Sequence, residues 1–587
     1  MDGHTKTHDG VDVCWRDTLA LNAKKVRYPG FFPHQKVLKT GTVLHPGGRP
    51  LSCDISCDFD VGVTLRDGTV VYVDIYLPLT ATVGSAPALV AWSPYGKREG
   101  TDVLADYPFR MSIEPDEVSG LQKFEGPDPA YWCEHGYAVV NPDPRGTYES
   151  EGDMQAWGLQ ESDDAYDVIE WIAEQPWSNG KVGLTGNSWL AICQWFIAAA
   201  KPPHLAAFAP WEGFTDVYRH HLCIGGIPDA GFCNFVFSRQ AGKGKMEDLP
   251  AMIERYPLMN GYWESKRANV ESISIPAYIT ASWTNFIHTF GTFDGWTRLG
   301  SEKKWLRVHN THEWPDYYRN EDDLRRFFDR YLHGVSNDWE QTPKVRFSLL
   351  DPGGSDAVDL PADDYPLPGT KYRRLYLDTD TNVLVEGPPA RGSLRYRSDD
   401  STSKVQFNYR FTKETKLVGP ISLTLSVSAD EAEDIDLFAK VQKLNFRRRV
   451  QWLRTVPFRG FFARTMTALL RISGKRERSF IFFDGMHGRF RVSHREDVSA
   501  RAPGQIQLRS HSQSKLLAHG EVATVTIPLT PIGMKFRAGE ELCLTIAGHN
   551  MNSWPMSDIP TTRTINRGGT VIHSSEEFQS FLEIPEV

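Results

Sequence analysis

The chain has 587 residues, too many for one hydrophobic core, and length alone predicts roughly two to four domains. Hydrophobic residues at 40% and charged residues at 24% are ordinary for a soluble globular protein, and 65 basic against 74 acidic side chains leave −9, which excludes a general nucleic-acid footprint. No apolar run approaches the ~20 residues of a membrane-spanning helix, the N-terminus lacks the apolar core of a signal peptide, and eight scattered cysteines fit neither a disulfide scaffold nor a four-ligand zinc site.

In chain order, residues 58–78 alternate apolar and polar around Arg66-Asp67-Gly68, the pattern of a β-hairpin. APALVAWSPYG (86–96) and GYAVVNPDPRG (136–146) read as buried strands stopped by Pro and Gly. A helix is expected over 162–175, with acids in its first turn, then a strand over 181–189 that passes straight into an apolar helix. Strand alternating with helix predicts a parallel sheet covered on both faces. From 211 to 273 aromatics, Met, His and Gly occur without strand periodicity, as in a helical insertion. Strands return at 275–283 and 303–310, and beyond about 345 short alternating segments predict an all-β sandwich or jelly roll. The expected organisation is an α/β core over 40–210 and 274–345, a helical cap over 211–273, and a β jelly-roll domain over 346–587.

Gly186-Asn187-Ser188 lies where strand meets helix. A serine on so sharp a turn stands proud of the sheet, and the helix N-terminus beside it favours developing negative charge. The usual second glycine, two residues after the serine, is here Leu190, and the next small residue is Ala191. A serine before a helix can also be only an N-cap, so its chemistry rests on this strand–turn–helix context.

The segment GNSWLA resembles the G-x-S-Y/W-x-G/A elbow of the CocE/NonD hydrolases, the cocaine esterase and X-Pro dipeptidyl-peptidase group. AWSPYGK (91–97), AVVNPDPRGTYESEGD (138–153) and GRFRVSHRED (488–497) are similar to segments of that family, and the resemblance runs from about residue 55 to the C-terminus. It implies an α/β-hydrolase core, a helical cap and a C-terminal jelly roll. It also implies that Ser188 is the nucleophile of an acyl-serine mechanism.

By α/β-hydrolase chain order the base follows the nucleophile at a strand end, and His312, in VHNTHEW, stands at the family's histidine position. At the family's aspartate position, in SWTN, stands Asn285, which can orient an imidazole but cannot offset its charge. His288 is an alternative base or substrate ligand, and Glu313 or Asp316 could supply the missing charge. The resemblance makes Tyr95, with the backbone N–H of Trp189, the oxyanion hole. The Trp189 ring favours an apolar acyl group, and residues 211–236 are expected to form much of the pocket. Asp143 and Arg145 read as a charged pair bracing a turn.

Residues 446–478 carry many arginines among large apolar residues. Such a segment can lie on a membrane surface or an acidic partner, but Pro457 and Gly460 interrupt any single helix. Packing on the catalytic part or across a homodimer is the simpler expectation. The sequence thus predicts a cytoplasmic serine hydrolase acting on an ester or amide of a small molecule, with no metal, cofactor or nucleic acid. The loss of the aspartate keeps open acyl-transfer or other non-hydrolytic biosynthetic chemistry on the same fold, or a catalytically weak binding homologue.

Overall fold

The computed structural model describes residues 7–100, 102–456, 481–496, 509–552, 554 and 558–587, together with Thr465 and Leu469. An eleven-stranded mixed sheet organises the N-terminal part. Its strands are β1 (His34–Leu38), β2 (Ile55–Thr64), β3 (Val70–Pro78), β4 (Ala86–Val90), β5 (Ala138–Asp143), β6 (Ser178–Asn187), β7 (Leu205–Trp211), β8 (Ala277–Ser282), β9 (Lys304–His309), β10 (Val345–Leu349) and β11 (Ala357–Ala362), in the order β11-β10-β9-β8-β7-β6-β4-β5-β3-β2-β1. The centre, from β5 through β10, is parallel, and the margins are antiparallel. Every residue of β4, β5 and β8 is buried, as expected of strands covered on both faces.

Helices α1 (Leu159–Ala173) and α2 (Trp189–Ala199) cover one face. Ten of the eleven α2 residues are buried, so this helix is wrapped all round and can be apolar throughout. Between β7 and β8 the chain makes short helical turns, including α3 (Gly231–Phe237) and α4 (Leu249–Arg255). A three-residue strand there, Lys245–Glu247, pairs with Trp15–Asp17. Helices α5 (Thr289–Arg298) and α6 (Glu313–Arg319) follow β8 and β9.

The C-terminal part is all β. Its ten-strand path is β14-β21-β16-β22-β12-β13-β15-β20-β17-β18, with β19 pairing β16, and the strands are β12 (Lys371–Asp378), β13 (Val383–Val385), β14 (Ser393–Arg397), β15 (Lys404–Arg410), β16 (Thr415–Ala429), β17 (Asp436–Leu444), β18 (Met486–Arg491), β19 (Ala523–Phe536), β20 (Glu541–Ala547), β21 (Gly569–His573) and β22 (Phe581–Glu586). It holds its own core, with Leu423, Val441, Ile527 and Leu544 at its heart. The two parts touch closely at Gly533 of β19. A Cβ there would stand 2.2 Å from the Trp283 ring, and Trp283 donates through Nε1 to the Ser348 carbonyl.

Most of the basic stretch expected at 446–478 lies outside the described residues. Its beginning returns to the body of the protein, where Leu453–Arg454 pairs with Phe482–Phe483. No helix among the described residues is long and apolar enough to cross a membrane.

Candidate active site

Strand β6 hands the chain to α2 through one strained residue. Ser188 has φ 52° and ψ −115°, a sparsely populated conformation for a residue with a Cβ. The turn is held by its neighbours: Ser188 N–H faces the carbonyls of Trp211 (3.3 Å) and Glu212 (3.2 Å), and Asn187 N–H donates to the Glu125 carbonyl at 2.9 Å. Gly186 has φ 128°, and a Cβ there would meet Leu190 Cδ2 at 2.4 Å. The position of the usual second glycine can therefore be a leucine, because Gly186 leaves room for its side chain. The close approach falls instead at Ala191, whose Cβ faces Gly213.

The imidazole against the nucleophile belongs to His288, whose Nε2 lies 3.2 Å from Ser188 Oγ. The turn after β8 puts it there. Asn285 Oδ1 accepts from the N–H groups of Ile287 (3.0 Å) and His288 (3.3 Å), and Asn285 N–H donates to Ser282 Oγ. This local side-chain-to-backbone turn ends with His288 at the N-cap of α5. Burial, reinforced by the nearby His221 and His312, holds the His288 pKa down to about 3, so its ring is neutral. Its Nδ1 is buried with no hydrogen-bond partner among the described residues.

His312 lines the same cavity but caps α6, its Nδ1 accepting from Trp314 N–H at 3.4 Å. Burial, with His309 beside it, brings its pKa to about 3 as well. Asn285 does not orient it, contrary to the expectation from chain order. The Asn285 oxygen is used in its own turn, and its Nδ2 donates to Glu313 Oε2 at 2.8 Å. Asp316 is also engaged elsewhere, paired with Arg307 at 2.7 Å.

Beneath this turn lie three buried carboxyl groups. Glu313 is pushed well above the usual carboxylate range by burial and then by Glu212 and Glu125. Glu125, raised to about 8 by burial, accepts from Trp314 Nε1 at 2.9 Å and also lines the cavity. Glu212 accepts from Ser282 Oγ at 3.1 Å, and His309 Nε2 lies 2.5 Å from its other oxygen. The sequence reading missed Glu125 and Glu212. Glu212 carried a legible signal, an acid directly after a strand and before Gly213, whereas Glu125 carried none.

Tyr95 lines the cavity with Ser188, its ring edge-on to Trp189 at 6.0 Å and to Phe124 at 5.2 Å. Burial raises its phenol pKa, so the hydroxyl keeps its proton for donation. The Trp189 ring does not reach the acyl space, contrary to expectation. It is 1% exposed and packs beneath the elbow against Trp157, with Nε1 on Glu161. Asp143 and Arg145 do not pair with each other: Asp143 binds Lys97, and Arg145 binds Asp164 and Asp67.

The cavity over Ser188 has a volume of about 290 Å³. From the expected 211–236 region, Phe232, Phe235 and Val236 line it. The opposite wall comes from the β part, through Trp452, Phe482, Phe483, His487 and Trp554. Of these only Trp452 falls in the 446–478 stretch expected to pack on the catalytic part; no local pattern announced the others, because the wall forms only when β17, β18 and their loops dock there.

A serine raised on a strand–helix turn of a largely parallel sheet, with an imidazole at its hydroxyl, defines an α/β-hydrolase of the serine class. Sequence-family models agree: the X-Pro dipeptidyl-peptidase (S15 family) model matches residues 67–254, and the X-Pro dipeptidyl-peptidase C-terminal non-catalytic domain matches residues 337–583. The chain belongs to the CocE/NonD hydrolase family.

A CocE/NonD family hydrolase from Staphylococcus aureus superimposes with a TM-score of 0.82 at 30% identity, covering 95% of this chain and 97% of that one. The cocaine esterase of Rhodococcus sp. (strain MB1 Bresler) is 34% identical over 160 residues, 27% of this chain and 24% of that protein. The chain thus spans about a quarter of that relative's length. An aminopeptidase from a marine-sediment Thaumarchaeota archaeon shares the fold, with a TM-score of 0.64 at 15% identity over 90% of this chain and 97% of that one.

Proposed function

We propose that this protein hydrolyses a small ester or amide through an acyl-Ser188 intermediate, with His288 as the base. The observation that carries the reading is the 3.2 Å contact between Ser188 Oγ and His288 Nε2. Chain order alone favours His312, whose Nδ1 is occupied by its helix cap. In the proposed reaction Ser188 Oγ attacks the carbonyl carbon and its proton passes to His288 Nε2. The developing oxyanion takes hydrogen bonds from the Trp189 N–H and the Tyr95 hydroxyl. His288 then returns the proton to the leaving alcohol or amine, and water releases the acyl group by the same route.

The supporting electrostatics are a neutral His288 ring, able to accept a proton, and a Tyr95 phenol that keeps its own. Asn285 takes part as the residue that shapes the His288 turn. No carboxylate meets His288 Nδ1 among the described residues, so the imidazolium lacks a counter-charge and turnover falls below that of an aspartate-supported triad.

The test is fluorophosphonate labelling with p-nitrophenyl ester turnover for the wild type, Ser188→Ala, His288→Ala and His312→Ala. Ser188→Ala abolishes both. His288→Ala lowers turnover by about 10²–10⁴-fold, the usual range for a lost general base, while His312→Ala retains most of it. The reverse ranking of the two histidines transfers the base to His312. A wild type that neither labels nor turns over points to non-hydrolytic chemistry or ligand binding alone.

A further inference from the structure

Behind Phe286, His487 and Trp554, which it shares with the Ser188 cavity, lies a second chamber of about 110 Å³. A single water needs roughly 10–15 Å³ on this measure, so the chamber has room for a ligand group. One wall is the turn Tyr218–Leu222, and the other is the β17–β18 pair, which sets Lys440 opposite His487 and Phe438 opposite Arg489.

The chamber is rich in cations, and most have counter-ions. Arg219 pairs with Asp216 at 2.8 Å, Arg489 with Asp229 at 2.6 Å, and Lys440 with Asp484 at 2.6 Å. Arg509 differs. It is 7% exposed, its Nη1 donates to the Arg495 carbonyl at 2.7 Å, and its guanidinium lies 4.5 Å from the Phe490 ring centre. No carboxylate among the described residues pairs with it. His220, 1% exposed, also lines the chamber, and neither of its ring nitrogens has a hydrogen-bond partner among the described residues, Asp294 standing 3.6 Å from Nε2. A buried guanidinium with no carboxylate partner among the described residues, beside a buried imidazole with no hydrogen bond among them, is a costly arrangement that an anionic ligand group would complete.

We infer that the chamber receives a carboxylate carried by the substrate, with Arg509 as its counter-ion, while the scissile carbonyl lies over Ser188. A single uncompensated positive charge matches a monoanion, and the flat guanidinium fork matches a carboxylate. Asp229 also faces the chamber, but Arg489 and Thr562 hold it. The inference rests on the hydrolase reading for its placement of the carbonyl, but the anion site itself can be measured without turnover.

The experiment is calorimetric binding of butyrate, butyramide and inorganic phosphate to the full-length wild type, Arg509→Met and Arg509→Lys. Butyrate binds the wild type at least about tenfold more tightly than the isosteric butyramide, Arg509→Met removes that preference, and Arg509→Lys keeps part of it. Butyrate raises the melting temperature of the wild type and not that of Arg509→Met, which also reports that the variant folds. Equal binding of butyrate and butyramide, or a preference that survives in Arg509→Met, overturns the inference. Phosphate binding more tightly than butyrate overturns the carboxylate assignment. Failure of fluorophosphonate labelling with butyrate binding intact removes only the hydrolase reading.

Discussion

Ser188 and the two histidines near it show how far one residue's role depends on distance. The serine was readable from its own neighbours, since Gly186, the strand and the helix are contiguous with it. The choice between His288 and His312 was not. Both follow strands and both are neutral, His288 buried and His312 half-buried, and only the approach of α5 to the elbow gives His288 the 3.2 Å contact. The pH dependence follows from the same burial. As the proposed base, His288 with a pKa near 3 stays competent as pH falls through 6.5, where an ordinary histidine would be lost, so kcat/KM is expected to be flat between pH 5 and 7. On the alkaline side Glu125 loses its proton near pH 8 and places a negative charge on the wall of the Ser188 cavity, where the proposed reaction develops its oxyanion. A pH–rate profile on a neutral ester therefore falls above about pH 8 in the wild type, and Glu125→Gln removes that decline. An acid limb centred near 6.5 would refute the assignment of His288 as base.

At the scale of the element, the elbow works because four short stretches close on it. Strand β6 supplies Gly186, α2 supplies Leu190 and Ala191, the loop after β7 supplies Gly213, and the Glu125 carbonyl accepts from Asn187. Gly186→Ala is the sharpest probe, because it strains a backbone at φ 128° and drives a Cβ against Leu190 and the Glu125 carbonyl. Strain of this kind costs about 1–3 kcal/mol before the clash is counted. The variant is expected to melt earlier and to lose fluorophosphonate labelling as Ser188 leaves its position. Gly186→Ala with native melting and labelling would show that the turn does not depend on this glycine. The short turn 285–288 is an equally local device, yet Asn285 was readable only as a substituted acid. Its two backbone hydrogen bonds are made within four residues, but they declare themselves only once β8 and α5 are in place.

At the scale of the whole molecule, the site is completed by the β part. It contributes a wall of the Ser188 cavity, most of the second chamber, and the Gly533 contact against Trp283, two residues before Asn285. Gly533→Ala would force that contact apart, since its Cβ would lie 2.2 Å from the Trp283 ring. The expected outcome is loss of ester turnover through displacement of the His288 turn, with the separate β core retained as a cooperative thermal unfolding transition. Full activity in this variant would show that the docking does not set the site.

The sequence by itself determined the periodicities, and with them the parallel sheet, the helical cap, the alternating β part and the serine on its turn. Those features arise from contacts between residues near one another in the chain, or from the faces a strand or helix must bury. The imidazole facing Ser188, the use of Asn285, the three carboxyl groups beneath its turn and the pairing of Lys440 with His487 were decided by tertiary structure alone. Each depends on which side chains meet across elements distant in sequence, and neither composition nor period carries that distance.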